Sequence, residues 1–130
     1  MKKMNNRKGF TLAELLIVVA IIAVLVAIAI PVFTTQLERS REATDLANIR
    51  SAYAEAMTDY IADNKTVSKT ANIVQKDASW HIDHNLTTRI DGTESTLTLG
   101  PVTPGTSAKA TVTVTAPATG TAPTVEVSFN

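Results

Sequence analysis

The sequence predicts an α+β protein in which one long N-terminal α-helix packs on a small antiparallel β-sheet. Residues 10–62 contain one proline, Pro31, and no glycine, which favours a continuous helix. After residue 64 the chain changes to short alternating runs that are rich in Thr and divided by Gly and Pro, a pattern typical of strands. At 130 residues the chain offers one small core at most, which excludes a multidomain enzyme.

The apolar stretch in the first part of the helix is long enough to cross a membrane. From Phe10 to Phe33, 21 of 24 residues are apolar or aromatic, the exceptions being Thr11, Glu14 and Pro31. As a helix this stretch spans about 36 Å at about 1.5 Å per residue, against a bilayer core of about 30 Å. We therefore predict a single membrane span with lipid as a partner.

The charges are balanced in number but not in position. There are 12 basic and 12 acidic residues, so nothing in the net charge points to nucleic acid. Four basic residues and no acidic one precede the span: Lys2, Lys3, Arg7 and Lys8. The positive-inside rule then leaves residue 1 in the cytoplasm and the chain after Phe33 outside. Because the chain has no cysteine, it has no disulfide framework and no thiol nucleophile.

Three interpretations of the span compete. A cleaved secretory signal is one, since Ala27-Ile28-Ala29 offers an A-x-A-like site. A plain signal anchor is another. Glu14 argues against both, because an ionisable group in an apolar helix is costly without a partner and such residues are usually functional.

The third interpretation comes from a resemblance. The sequence GFTLAELL from Gly9 to Leu16 follows a short basic leader and opens an apolar stretch that ends at Pro31. This arrangement resembles the class III signal of type IV pilins and the related pseudopilins. In that family a membrane peptidase cuts after the glycine and methylates the new terminal amine. The resemblance covers about residues 1–60 and implies the pilin fold, cleavage between Gly9 and Phe10, and N-methylation of Phe10.

The resemblance also implies that Phe10, Thr11 and Glu14 act in assembly. A carboxylate in the water-poor core of a filament needs an amine partner. The new amine of Phe10 could pair with Glu14 of its own chain or of a neighbouring subunit, and the family favours the neighbour. Thr11 adds a hydroxyl to that contact or bonds its own helix backbone. Pro31 predicts a helix kink, or assembly-linked melting, although Ala23 stands where many members have glycine.

The leading hypothesis is a structural subunit of a type IV pilus, without enzyme activity or cofactor. From the resemblance, its partners are copies of itself, other pilins, the prepilin peptidase, an assembly platform and an ATPase. The precursor would lie in the cytoplasmic (inner) membrane as a single-pass protein and reach an extracellular pilus, with adhesion or twitching motility as roles. The alternatives are a pseudopilin of a type II secretion or DNA-uptake machine and, from another class, a secreted or anchored ligand-binding β-domain.

Four segments are predicted: a leader (1–9), a filament-core helix (10–33), an amphipathic exposed helix (34–63) and a β-sheet head (64–130). Apolar residues recur at helical spacing in the third segment. They are Leu46, Ile49, Tyr53, Met57 and Tyr60, with Ala56 and Ile61 beside them. The opposite side has charges of both signs and is expected to be solvated, with contacts between subunits as the alternative. Its residues are Arg41, Glu42, Asp45, Arg50, Glu55 and Asp59.

The head is predicted to be an antiparallel sheet of three or four strands whose apolar face packs on this helical stripe. The clearest strands alternate apolar and polar residues near the end of the chain. Their apolar residues are Ala110, Val112 and Val114, then Val125, Val127 and Phe129. An earlier strand with Leu86, Thr88 and Ile90 precedes Asp91-Gly92, and Leu97 and Leu99 follow. The sequence of residues 65–80 gives the least clear signal for a helix or a strand.

No catalytic motif is present: there is no phosphate loop, nucleophile elbow or HExxH. His81, Asp83 and His84 are close in sequence, but in an extended segment His84 points away from the other two, so no metal site is expected. Asn85-Leu86-Thr87 and Asn64-Lys65-Thr66 match the N-x-[ST] acceptor pattern. Asp83 before Asn85 resembles the longer bacterial version, which makes Asn85 the candidate glycosylation site, with O-linked sugar on the threonines as a further hypothesis.

Overall fold

The described part of the chain forms one long helix followed by five strands, so the predicted α+β class is confirmed. The computed structural model describes residues 9–90, 92–105, 108–119 and 121–130. The helix α1 extends over Leu12–Asp63, and the strands are β1 (Val67–Asn72), β2 (Asn85–Ile90), β3 (Thr93–Thr98), β4 (Lys109–Thr115) and β5 (Thr124–Phe129). The basic residues of the predicted leader, and Asp91 of the predicted turn, lie outside the described residues.

The chain divides into two compact units, one ending at Gln36 and the other beginning at Leu37. Residues 9–36, the described part of the first unit, contain no buried residue. Every large apolar side chain from Phe10 to Phe33 is between 46% and 93% exposed. A helix that is apolar on all sides is typical of a membrane span or of a helix covered by other helices. Among the described residues, α1 is the one helix that is long and apolar enough to cross a membrane.

The C-terminal end of α1 is set by Asn64. This residue has a φ of 51°, a left-handed conformation that asparagine adopts more readily than most residues. Its N–H donates to the carbonyl of Tyr60 at 2.7 Å, which satisfies one of the last carbonyls of the helix. The helix therefore ends at Asp63, as the sequence Asp63-Asn64-Lys65 predicts.

The five described strands form two antiparallel sheets. Strand β4 is the centre of a three-stranded sheet in the order β1-β4-β5, and β2 pairs with β3 in a separate hairpin. In the larger sheet Val112 lies opposite Lys69 of β1 and Val127 of β5. The sequence predicted a single sheet of three or four strands. The difference arises largely from β1, because its sequence VSKTAN has few large apolar side chains and gives little strand signal.

The core of the second unit lies between α1 and the strands. Ala110, Val112 and Val114 of β4 are fully buried, which confirms the predicted inward face of that strand. The core cluster joins Ala110 and Val112 to Leu46 and Ile49 of α1 and to Leu86, Leu99 and Val102. Within the predicted helical stripe Tyr53, Met57 and Tyr60 are half-buried. Ile61 is 74% exposed, so the expectation that it belongs to the packed stripe is wrong.

Candidate functional site

The predicted cleavage junction is open in the structure. Gly9 and Phe10 precede the first residue of α1 and are both exposed. A Cβ placed on Gly9 would meet no other atom within 4 Å. Among the described residues, therefore, nothing hinders the approach of another molecule to the Gly9–Phe10 bond.

The first turn of α1 is closed by a pair of reciprocal hydrogen bonds. The N–H of Thr11 donates to Oε2 of Glu14 at 2.8 Å, and the N–H of Glu14 donates to Oγ1 of Thr11 at 3.2 Å. Thr11 is thus the N-cap and Glu14 the third helical residue of a capping box, which satisfies two N–H groups that the helix itself leaves unpaired. A carboxylate in the first turn is also favoured by the helix dipole.

This capping box changes the interpretation of Glu14. The carboxylate has a local partner in its own chain, and that partner, Thr11, directly follows the position of the predicted terminal amine. The sequence analysis missed this arrangement, although T-x-x-E before an apolar run is a recognisable signal for it. The structure brings Thr11 and Glu14 together through these two backbone N–H groups of the single chain; the role of both residues in assembly stays a prediction.

Pro31 lies inside α1, where it cannot donate a backbone hydrogen bond. Its carbonyl accepts the hydroxyl protons of Thr34 and Thr35, each at 3.0 Å. Bonds of this kind often bend a helix, so the contacts are compatible with the predicted kink, which stays a prediction.

A second polar cluster lies in the second unit, on one face of α1. Glu38, Glu42 and Asp45, hereafter the carboxylate row, follow one another at helical spacing and face residues 73–84, which connect β1 to β2. Asp45 accepts the N–H groups of Val74 at 2.7 Å and Gln75 at 2.8 Å. The row thus holds a connection without regular structure against the helix.

The other two carboxylates of the row bind further along the same connection. Glu38 accepts the N–H of Lys76 and, at 2.8 Å, the N–H of Asp77. Glu42 accepts the N–H of His81 at 2.8 Å through Oε2, and its Oε1 lies 2.6 Å from Nδ1 of the same residue. Hydrogen bonds to ionised carboxylates are stronger than those between neutral groups, so the row is an anchor for residues 74–81.

The surroundings shift the pKa values of Asp45, Glu38 and His81. Burial raises the pKa of Asp45, and the N–H groups of Gln75 and Val74 offset only part of this effect. Burial acts in the same direction on Glu38, but hydrogen bonds from Asp77, Arg41 and Lys76 together lower its pKa below the ordinary value of 4.5. The hydrogen bond to Glu42 raises the pKa of His81 above its ordinary value of 6.5.

The carboxylate row corrects the expected solvated side of the helix. Glu42 and Asp45 are fully buried, and of the six predicted residues only Arg50 and Glu55 are exposed. Charge alone predicted exposure because carboxylates are rarely buried without partners. Here the partners are backbone N–H groups, which no side-chain pattern in the sequence predicts.

The three residues considered for metal binding do not share a site. His81 binds Glu42, and its Nε2 is 3.8 Å from Oδ2 of Asp77. The ring of His84 stacks on Trp80 with centroids 5.4 Å apart. Asp83 accepts the backbone and side-chain N–H groups of Asn85. Within the described ranges no group of three suitable side chains is arranged to hold a metal ion.

Asn85, the candidate glycosylation site, is the first residue of β2. Its Nδ2 donates to Oδ1 of Asp83 at 2.8 Å, and its Oδ1 accepts the hydroxyl of Thr98 at 2.9 Å. Both ends of the amide are therefore engaged in the folded head. Glycosylation at Asn85 stays a hypothesis, and these contacts favour its addition before the head folds.

An uncovered apolar N-terminal helix with a capped first turn, followed by a small α+β head, defines a class of membrane-anchored structural proteins. A protein-family profile described as "Prokaryotic N-terminal methylation motif" matches residues 4–30. A "Fimbrial protein" of Pseudomonas aeruginosa is 37% identical over 89 residues, which cover 68% of this chain and 56% of that protein. The chain belongs to the type IV pilin family, whose members are structural subunits and not enzymes.

Two further relatives match over shorter stretches of the chain. The "Type IV major pilin protein PilA" of Myxococcus xanthus is 42% identical over 67 residues, 52% of this chain and 30% of that protein. The "Type IV narrow pilus major component PilA5" of Thermus thermophilus is 50% identical over 52 residues, 38% of this chain and 45% of that protein. The chain spans about half the length of the curated relatives it matches. No solved structure matches it.

Proposed function

We propose that this protein is a structural subunit of a type IV pilus that polymerises through its N-terminal helix. The observation that carries the proposal is the uncovered apolar surface of residues 10–33, which begins at a capped carboxylate. Lipid covers such a surface while the subunit is in the membrane. After extraction, copies of the same helix provide the most direct cover, because burying each Leu, Ile or Val contributes about 1.5–3 kcal/mol.

The four segments take distinct roles in this proposal. Residues 1–9 are a leader that is removed, 10–33 pack in the filament core, 34–63 join the core to the head, and 64–130 form the exposed surface. Relatives named as major components of pili in Myxococcus xanthus and Thermus thermophilus support a filament subunit. The partners are copies of itself, other pilins, the prepilin peptidase, the assembly platform and its ATPase.

Processing creates the group that assembly needs. Hydrolysis of the Gly9–Phe10 amide bond leaves a carboxylate on Gly9 and a free amine on Phe10, which is then methylated and stays a cation. The openness of this bond and the match of the methylation motif to residues 4–30 support this step. Intact mass measurement would give a mature chain that starts with N-methylated Phe10. A chain that starts at Ile30 would instead indicate an ordinary secretory signal and contradict the proposal.

Glu14 has two partners in this mechanism, one before assembly and one after it. In the single chain it accepts the N–H of its own Thr11. In the filament it pairs with the terminal amine of a neighbouring subunit. An ion pair is worth far more in a water-poor core than in water, so packing favours the exchange of the local hydrogen bond for the intermolecular pair.

The capping box makes a sharp test possible. Glu14→Ala removes both the charge and the cap, whereas Glu14→Gln keeps an acceptor suited to a capping box and removes only the charge. We expect both variants, each as the only copy in the cell, to insert and to be cleaved after Gly9. Both should leave processed subunit in the membrane and give few sheared surface filaments. Normal filament yield from Glu14→Gln would show that the cap, and not the charge, is the function of this residue.

Thr11→Ala is the matched control. It removes the hydroxyl that accepts the N–H of Glu14 and leaves the charge in place. If Thr11 bonds only its own helix, filament yield stays close to that of the unsubstituted protein; a lower yield would place its hydroxyl in the assembly contact. The same assay on cells with the unsubstituted protein tests the pseudopilin alternative. That alternative is favoured if these cells retain processed subunit in the membrane and release no filaments on shearing.

A further inference from the structure

Groups outside the connection between β1 and β2 bind much of its backbone. Residues 73–84 contain no helix or strand. The backbone N–H groups of residues 74, 75, 76, 77 and 81 all donate to the carboxylate row. Two further hydrogen bonds join the connection to residues 100–102. The carbonyl of Ala78 accepts the N–H of Val102 at 3.0 Å, and Nε1–H of Trp80 donates to the carbonyl of Gly100 at 2.9 Å.

The row concentrates negative charge where water is excluded. Glu42 and Asp45 are fully buried, and the side chain of Glu38 is 14% exposed. The charges of Glu38 and Glu42 both act on Asp45 to raise its pKa. A cation beside a buried carboxylate offsets part of the cost of burying its charge. Arg41 compensates Glu38 at 3.0 Å, and the imidazole of His81 is the titratable group that compensates Glu42.

The charged surroundings of His81 come from two elements. α1 presents Glu42 in direct contact and Arg39 at longer range, and the connection itself presents Asp77. Among the described residues no other charged side chain lies within ion-pair distance of the ring. The second histidine, His84, contacts a backbone carbonyl and Trp80 instead of a carboxylate. Only one of the two histidines is therefore placed to respond to a buried charge.

We propose that His81 is a pH-dependent switch that fastens residues 73–84 to α1 when its imidazolium pairs with the buried carboxylate of Glu42. When the ring loses its proton, Glu42 keeps hydrogen-bond donors but loses the compensating positive charge. A buried anion without a cation is strongly disfavoured. The connection then opens more often, which lets water reach Glu42.

The direction of the pH effect follows from linkage. The pKa of His81 is raised by its hydrogen bond to Glu42, so its stabilising contribution is complete below 6.5 and is lost as pH rises through the folded value. Glu38 has a lowered pKa, so its contribution is present above 4.5 and is lost as pH falls through its folded value. Asp45, whose pKa burial raises, loses its contribution as pH rises from 3.8 through its folded value. Between 4.5 and 6.5 the contributions of Glu38 and His81 are both complete.

Trp80 is a natural reporter, because it is the single tryptophan of the chain and lies in the connection. The experiment uses the full chain in detergent micelles and carries His84→Gln, so that the residue beside Trp80 at this position has no ionisable side chain. We expect acrylamide quenching of Trp80 to rise as pH increases through the folded pKa of His81. Each unit by which that pKa exceeds 6.5 corresponds to about a tenfold change in the opening equilibrium. Adding His81→Gln should abolish the pH step.

Imidazole NMR of the unchanged protein provides the second measurement. His81 should titrate above 6.5, and Glu42→Gln should return its midpoint to about the ordinary value. Quenching that stays constant while His81 titrates would overturn the proposal, as would a pH step that survives His81→Gln. If Glu42→Gln does not fold, the quenching of Trp80 in the His84→Gln variant, measured with and without His81→Gln, is enough to decide the question.

Discussion

The two halves of α1 have the same backbone and opposite surroundings. From Phe10 to Phe33 every large apolar side chain is exposed, whereas from Leu46 to Ala56 the inward residues are 5% exposed or less. The first half is apolar all round, and the second has an apolar stripe with charges beside it. A stripe can be covered by one sheet of the same chain. A helix that is apolar on every side has to be covered by lipid or by other chains.

The same contrast appears in two carboxylates of this helix. Glu14 accepts the N–H of Thr11, three residues away in the first turn of α1. Glu42 contacts the N–H and the imidazole of His81, which is 39 residues away. A local hydrogen bond can be exchanged without unfolding the head. The contact of Glu42 is part of the tertiary fold, so its loss opens the connection between β1 and β2.

The largest effect is expected from Val112→Asp, which places an unpaired carboxylate at a fully buried position of β4. We expect a loss of at least about 4 kcal/mol in the free energy of unfolding. The neighbouring Thr113, which is half-buried and bonds Ser68 at 3.0 Å, is the matched control, and Thr113→Asp should cost about 1 kcal/mol or less. Thermal unfolding of the full chain in micelles measures both. Equal midpoints would mean that the register of β4 is wrong.

Two isoleucines on the same helix test the comparison directly. Ile49 is 0% exposed and packs in the core, whereas Ile17 is 60% exposed. Ile49→Ala should cost about 2–5 kcal/mol because it leaves a cavity. Ile17→Ala should leave the unfolding of the head unchanged. A similar loss of head stability in both variants would contradict the division of α1 into an uncovered half and a packed half.

A smaller effect is expected from Asp45→Ala, which leaves the N–H groups of Val74 and Gln75 without their acceptor. The loss should be about 1–3 kcal/mol, since relief of repulsion from Glu38 and Glu42 offsets part of it. Asp59→Ala is the control, because Asp59 pairs with Lys69 at the surface and such pairs contribute little. Amide hydrogen exchange should quicken at residues 74 and 75 in the first variant only; unchanged exchange there would count against the anchor.

The sequence was informative wherever a structure depends on a local pattern. The alternation in β4 predicts which valines face inward, and the left-handed Asn64 ends α1 where composition changes. The capping box was also present as T-x-x-E and was overlooked. By contrast, β1 has few large apolar residues, so its own sequence hardly indicates a strand. Its pairing with β4 joins residues that are far apart in the chain.

The sequence by itself determined the apolar helix and the inward face of β4, because both depend on the order of neighbouring residues. Only the tertiary structure decided the burial of Glu42 and Asp45 and the partner of His81. A carboxylate on a helix is normally solvated unless donors reach it from elsewhere in the chain. Here the donors are backbone N–H groups of residues 74–81. Every residue except proline has such a group, so the side-chain sequence cannot mark which of them will meet an acid.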